Sequence, residues 1–321
     1  MLFEKQIEKV YRGNVFMRKD VDGSVFYFSP SDFNGLICEA FPFKSFAGVN
    51  LSGYVYYYGE QSKTRLLVFD HGMGAGHRAY MKEIELLARN GYTVFAYDHT
   101  GCVESGGDST NGLSQSLCDL DCAIKTIKGS ERFKGMSLSV IGHSWGGYST
   151  MNIVSIHPEI THIVALAGFV SVKRMIKQSF NGIIRGYAKP MYELESKINP
   201  AHSYQDAAET LKNSSVKALL IYSDNDPIVN INHHYRILEE QLKDKENVTL
   251  MLVSGKKHNP NFTVQALEYK DKFFADLKKA KKAKLLERPE QKAEFIAKYD
   301  WHKMTEQDEK VWAIILEHLA K

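Results

Sequence analysis

Apolar runs alternate with amphipathic stretches through most of this chain. Residues 65–70, 92–98, 138–141, 163–167, 218–222 and 248–253 are short and apolar enough to be strands buried on both faces. Between them, 80–89 carries Met81, Ile84, Leu87 and Ala88 at helical spacing, and Asn90-Gly91 ends it. A second amphipathic helix is predicted over 117–127, and a third begins after residue 144 and stops before Pro158. Parallel strands need crossover connections, so strand–helix alternation predicts a parallel sheet covered on both faces. Upstream, 35–58 alternates in the manner of an antiparallel pair at a sheet edge, and 1–30 reads as a peripheral arm. The rhythm breaks over 169–211, where basic residues interleave with Phe180, Ile183, Ile184, Tyr187, Met191 and Tyr192, which predicts a small helical insertion. After 253 the chain reads as mostly helical. The basic run 278–284 reads as a solvated helix face. Val311, Ile314, Ile315 and Leu319 give 308–319 the spacing of a helix docked on the sheet.

Composition narrows the classes. The 321 residues are 44% hydrophobic and 25% charged, an ordinary globular balance with enough length for a large core. A net charge of +3 gives no argument for nucleic acid or an anionic membrane. No apolar run is long enough to span a bilayer, and the first residues lack a signal-peptide pattern, so a cytoplasmic protein is expected. The cysteines, Cys38, Cys102, Cys118 and Cys122, have no zinc-site spacing and read as reduced structural thiols.

The candidate chemistry centres on Gly142-His143-Ser144-Trp145-Gly146, which follows a predicted strand and opens a predicted helix. A serine at such a turn exposes its hydroxyl, and the helix directs free N–H groups and positive dipole towards it. Asp70-His71-Gly72-Met73-Gly74 closes an earlier strand, where backbone N–H groups are left to face a ligand. The N–H groups of Met73 and Trp145 are the candidate oxyanion donors. A phosphate-binding loop is the other reading of these glycines, but no Gly-Lys-Ser/Thr or Gly-x-Gly-x-x-Gly follows. Asp224 and Asp226 follow the strand at 218–222, and either could orient an imidazole or merely cap a turn before Pro227. His258 lies in the loop after 248–253, within reach of Ser144 across the sheet. Among the rival bases, His71 and His143 more naturally shape the oxyanion loop and elbow. His233 and His234 are expected on a helix after the acid, without a carboxylate to complete a metal site.

The order Ser144, Asp226, His258 resembles the α/β-hydrolase triad, and the chain is similar to serine esterases, monoacylglycerol lipases and lysophospholipases of that superfamily. The resemblance rests on His71-Gly72-Met73-Gly74, Asp98-His99-Thr100-Gly101-Cys102-Val103-Glu104-Ser105-Gly106, the elbow, Asp224-Asn225-Asp226-Pro227-Ile228-Val229 and His258. Val103 stands where the family usually has glycine. The resemblance implies a mostly parallel eight-stranded sheet with helices on both faces and a lid after the sixth strand. It favours Asp226 as the acid. The expected organisation is a core of 1–168 and 212–321, a lid at 169–211, and a further helical insertion at 259–303. The implied activity is hydrolysis of carboxylic esters through an acyl-enzyme, with His71, Gly72 and His143 at the substrate and with no metal or cofactor. Peptidase, thioesterase and acyltransferase chemistry use the same residues. A non-catalytic binding protein on this fold would usually lack one of the three. The expected partner is a small ester with an apolar acyl group.

Overall fold

The computed structural model describes residues 3–74 and 76–321. Its strands are β1 (Leu36–Ala40), β2 (Phe43–Lys44), β3 (Asn50–Leu51), β4 (Gly53–Tyr58), β5 (Arg65–Asp70), β6 (Thr93–Tyr97), β7 (Ser137–His143), β8 (His162–Leu166), β9 (Lys217–Ser223) and β10 (Val248–Val253). Its helices are α1 (Glu4–Val15), α2 (Met81–Arg89), α3 (Gln115–Lys128), α4 (Trp145–Asn152), α5 (Val172–Ser179), α6 (Ala188–Ile198), α7 (Ala207–Lys212), α8 (Tyr235–Gln241), α9 (Val264–Lys282), α10 (Pro289–Ile296), α11 (Trp301–Met304) and α12 (Glu309–Ala320). Eight strands form one sheet in the order β1-β4-β6-β5-β7-β8-β9-β10, and β2 and β3 form a separate small ribbon. The predicted edge pair is β1 with β4; β4 also meets β6 antiparallel, and the remaining pairings are parallel.

Burial explains why the strands read as continuous apolar runs. Leu66 to Phe69 on β5 and Val140 and Ile141 on β7 are sealed on both faces, alternate residues entering two separate core clusters. β6 lies on one side of β5 and β7 on the other. The loops leaving β5 and β7 therefore open a crevice at the carboxyl ends of the central strands, where open α/β sheets bind ligands.

The break at 169–211 holds α5, a 3-10 segment over Gly182–Tyr187, α6 and α7, between β8 and β9. Beyond β10, α9, α10 and α11 enclose a small core of Phe273, Leu277, Ala280, Leu286, Phe295 and Met304, against which Val25 also packs. The terminal helix docks on the sheet as its spacing predicts, with one change of face. Trp312 is buried beside Val311, Ile315 and Leu319, while Ile314 stays 38% exposed. The amino-terminal arm does more than lie at the periphery. The Arg18 guanidinium donates to the carbonyls of Val103 (2.5 Å), Ser105 (2.9 Å) and Gly107 (2.8 Å). That clamp holds Val103 at φ 41°, a left-handed conformation unfavourable for a β-branched residue, which explains how the chain does without glycine there.

Candidate active site

Ser144 joins β7 to α4 at φ 56° and ψ −109°. This strained backbone is tolerated because its glycine neighbours let four segments meet. A Cβ on Gly142 would strike the carbonyl of Gly146, one on Gly146 the carbonyl of Asp70, and one on Gly147 the backbone of Gly168. The Ser144 N–H donates to Leu166 on β8 at 2.8 Å, which fixes the turn from the neighbouring strand. Trp145 begins α4, so its N–H has no acceptor one turn back within the helix. Met73 lies half-buried in the loop that leaves β5.

Ser144 Oγ is 2.8 Å from His258 Nε2, and His258 Nδ1 is 2.8 Å from Asp226 Oδ2. The Asp226 side chain is fully buried and the His258 side chain 20% exposed. The other carboxylate oxygen, Oδ1, accepts from the N–H groups of Ile228 (2.7 Å) and Val229 (3.0 Å). Both oxygens are thus satisfied, and Nδ1–H of His258 is the donor to Asp226. That tautomer leaves Nε2 free to accept from the serine hydroxyl. Asp224 is engaged elsewhere: it accepts from Ser254 Oγ at 2.6 Å and from Gly255 N at 2.9 Å, which hold its carboxyl below the usual range.

His71, Gly72 and His143 lie behind this row, in a bonded frame. The Gly72 N–H donates to Tyr80 Oη (3.1 Å), and Tyr80 Oη donates to His143 Nδ1 (2.9 Å). His143 Nε2–H then donates to the backbone carbonyl of His258 (2.6 Å). Burial, and then the neighbouring His258, push the His143 pKa well down, so the ring is neutral and each nitrogen has one role. His71 is also buried and neutral, pushed down to about 3 mainly by desolvation. Its Nδ1–H donates to Gly72 O (2.7 Å) and its Nε2 accepts from His99 N (3.0 Å).

Asp98 and His99 open one of the motifs that carry the resemblance, but their partners Tyr56, His77 and Asp119 carry no sequence signal of their own. His77 Nδ1 lies 2.7 Å from Asp98 and Nε2 lies 2.8 Å from Tyr56 Oη. The pair braces the segment after Met73 against the loop after β6. Burial opposes ionisation of Asp98, but His77 outweighs it and lowers the carboxyl to about 2. His99 packs at a tilt against Trp145, with ring centres 4.7 Å apart, and pairs with Asp70 at 2.8 Å and Asp119 at 3.4 Å. Desolvation works against its charge, yet the two carboxylates prevail, Asp70 foremost, and raise it to about 9. A buried imidazolium therefore lies under the elbow. Such partners join residues distant in sequence, so no local motif announces them.

His233 and His234 precede α8 instead of lying within it. His234 is buried, with Nδ1 accepting from Val170 N (3.1 Å) and Nε2 at 3.1 Å from Gln178 Oε1, so its ring is spent on structure. Among the described residues, no cluster of three or more His, Cys, Asp or Glu side chains could hold a metal ion. No helix among them is long and apolar enough to cross a membrane.

Known proteins share the fold and part of the sequence. Residues 61–208 match the family described as serine aminopeptidase, S33. An uncharacterized protein of Rickettsia prowazekii is 24% identical over 177 residues, 55% of this chain and 72% of that protein. The Pyrococcus furiosus esterase Pf2001 superposes with a TM-score of 0.61 at 22% identity, over 83% of this chain and 98% of that one. An acylaminoacyl peptidase of Pyrococcus horikoshii gives a TM-score of 0.50 at 18% identity, over 70% of this chain and 37% of that one. The likeness to these structures gives the chain the α/β-hydrolase fold, and residues 61–208 carry the match to the S33 family.

Proposed function

We propose that the chain hydrolyses small carboxylic esters with Ser144 as nucleophile, His258 as general base and acid, and Asp226 as the carboxylate that orients His258. The observation that carries the reading is the unbroken row Asp226–His258–Ser144, with both links at 2.8 Å. In the first step Ser144 Oγ attacks the ester carbonyl as its proton passes to His258 Nε2. Asp226 stabilises the imidazolium, which then protonates the leaving alcohol. The backbone N–H groups of Met73 and Trp145 stabilise the oxyanion. Water, deprotonated by the same Nε2, resolves the acyl-enzyme. His71, Gly72 and His143 act as a frame. Their ring and backbone groups are already bonded, so they position the base and the oxyanion loop without touching substrate.

The S33 match makes an amide the other substrate to test. The helices at 169–211 act as the lid: Gln178 on α5 donates to Ile228 O (2.7 Å) and accepts from Asn230 N (3.0 Å), which joins this segment to the loop of the acid.

Intact mass after a fluorophosphonate, on the native chain and on Ser144→Ala, tests the nucleophile. One adduct on the native chain and none on the variant is expected; no adduct on folded native protein overturns the reading. Nitrophenyl esters of increasing acyl length, run beside an aminoacyl arylamide, then separate ester from amide preference.

A further inference from the structure

The late insertion builds a cavity that the proposed reaction does not use. It has a volume of about 170 Å³. Phe26 and Phe28 of the amino-terminal arm form one side, and Phe273, Phe274 and Trp301 of the insertion form the other. Arg78 and Lys270 are the two cations in a lining that also includes Tyr27, Phe262, Met304 and Thr305. An apolar cavity of roughly 150 Å³ accepts a single benzene ring. This one therefore accommodates one aromatic ring with a short substituent, and its aromatic walls offer edge-to-face contacts.

The two cations set the substituent. Arg78 Nε is buried without a hydrogen-bond partner among the described residues. Glu104 Oε1 lies 3.9 Å from its Nη1, a long and half-exposed ion pair that does not engage Nε. Lys270 Nζ donates to Asn259 Oδ1 at 2.9 Å and lies 5.2 Å from the Phe262 ring centre; an ammonium has three donors, so it has capacity for a further acceptor. Glu83 and Asp271 also face Lys270. Glu83 is buried, accepts from Asn261 Nδ2 (3.1 Å), and is raised by desolvation to about 7, so it offsets the ammonium only in part at neutral pH. The Arg78 side chain is 39% exposed, and with Lys270 it lines the cavity, so a carboxylate held there would have two cations to pair with.

We propose that this cavity binds a small aromatic carboxylate, its ring among Phe26, Phe28, Phe273, Phe274 and Trp301 and its carboxylate on Arg78 and Lys270. The site is tied to the catalytic region through both walls. Asn259 to Phe262 follow His258 directly, and Arg78 follows His77, the brace of the loop that leaves β5. Occupancy needs no turnover, so it holds or fails independently of the ester hydrolysis proposed above.

The test is calorimetric titration of the native chain and of Ser144→Ala with phenylacetate and with phenylacetamide, which keeps the ring and loses the charge. Phenylacetate should bind both chains alike and at least tenfold more tightly than the amide. Arg78→Gln should weaken phenylacetate at least tenfold while leaving the amide unchanged. Phe274→Trp adds bulk at a wall residue that is 46% exposed, so it is expected to fold and to abolish binding of both. Three results overturn the proposal: no binding, equal affinity for acid and amide, or an affinity that Arg78→Gln and Phe274→Trp do not change.

Discussion

Single side chains decide whether the serine row works. Asp226 has both oxygens satisfied and fixes the tautomer of His258, so Asp226→Asn should reverse the hydrogen-bond demand at Nδ1. A fall in kcat of roughly 10⁴ is expected, by analogy with loss of the tautomer-setting acid elsewhere, and nitrophenyl-ester kinetics read it. His143 acts one step away, through the backbone carbonyl of His258. In His143→Ala that carbonyl is unheld, and kcat should fall by on the order of tenfold to a hundredfold with KM little changed. His143→Gln, which keeps a donor, should recover part of the loss. His99 belongs to stability. Its folded pKa, about 9, lies above the ordinary value of 6.5, so its contribution is complete below pH 6.5 and lost as pH rises through 9. Urea titrations should lose about 3 kcal/mol from this group between pH 6.5 and 10. In His99→Leu the buried Asp70 and Asp119 are unpaired, and about 3–5 kcal/mol should be lost at neutral pH. The sequence made part of this scale legible and hid the rest. Ser144 is announced by a local turn whose glycines are demanded by close backbone approach. The family resemblance favoured Asp226 over Asp224, but the physical reason lies in the partners that the fold brings from Ser254, Gly255 and His258. Tyr80, His77 and Arg18 act through contacts with residues far along the chain, and no spacing rule reaches them.

At the scale of elements, alternation of apolar runs and amphipathic stretches was enough to place a parallel sheet covered on both faces, because strands sealed on both faces must be apolar throughout; the count of eight strands came with the family resemblance. It could not say how 169–211 is fastened, since that depends on long-range contacts such as those of Gln178 and of one buried carboxyl. Glu195 on α6 is fully buried, accepts from Tyr11 Oη of α1 (2.7 Å), and accepts from the N–H of Leu113 (2.9 Å). Leu113 O in turn accepts from the indole of Trp145 at 2.6 Å. Desolvation raises Glu195 to about 7. For a carboxyl raised on folding, the native state holds the proton that the unfolded chain has released, so stability falls as pH rises from about 4.5 to about 7. A loss of about 3 kcal/mol over that window is expected from this group alone. Glu195→Gln keeps an acceptor without the charge, and it should flatten that part of the stability–pH curve and raise Tm above pH 7. The same curve in Glu195→Gln and in the native chain, measured by thermal unfolding from pH 5 to pH 8, checks the assignment; parallel curves refute it.

Across the whole molecule, the segment 259–303 lies between two parts that the fold needs separately. His258 must hang from the end of β10, and α12 must dock Val311, Trp312 and Ile315 on the sheet. Forty-odd residues between them would leave the two free to drift, but Lys256 ties them together. Its ammonium, 7% exposed as a residue, donates to the carbonyl of Phe262 (2.6 Å) and to Asp308 Oδ2 (2.7 Å). Asp308 caps α12 through the N–H groups of Lys310 and Val311, and its own N–H returns to Asn261 O at 2.7 Å. Burial works against the Asp308 charge, but Lys256 and the cap bonds lower its pKa. Its stabilising contribution is therefore present above the ordinary carboxylate range and lost as pH falls through the depressed value. Lys256→Met keeps the buried stem and removes the charge, which leaves Phe262 O unsatisfied and Asp308 without its cation. A loss of about 2–4 kcal/mol is expected, below the cost of breaking a fully buried pair because Asp308 is 22% exposed. Because one residue anchors both the base loop and the terminal helix, fluorophosphonate labelling should slow at temperatures where the far-UV signal of Lys256→Met is still native. Labelling that tracks unfolding and nothing else would mean that the tie stabilises the molecule without positioning His258.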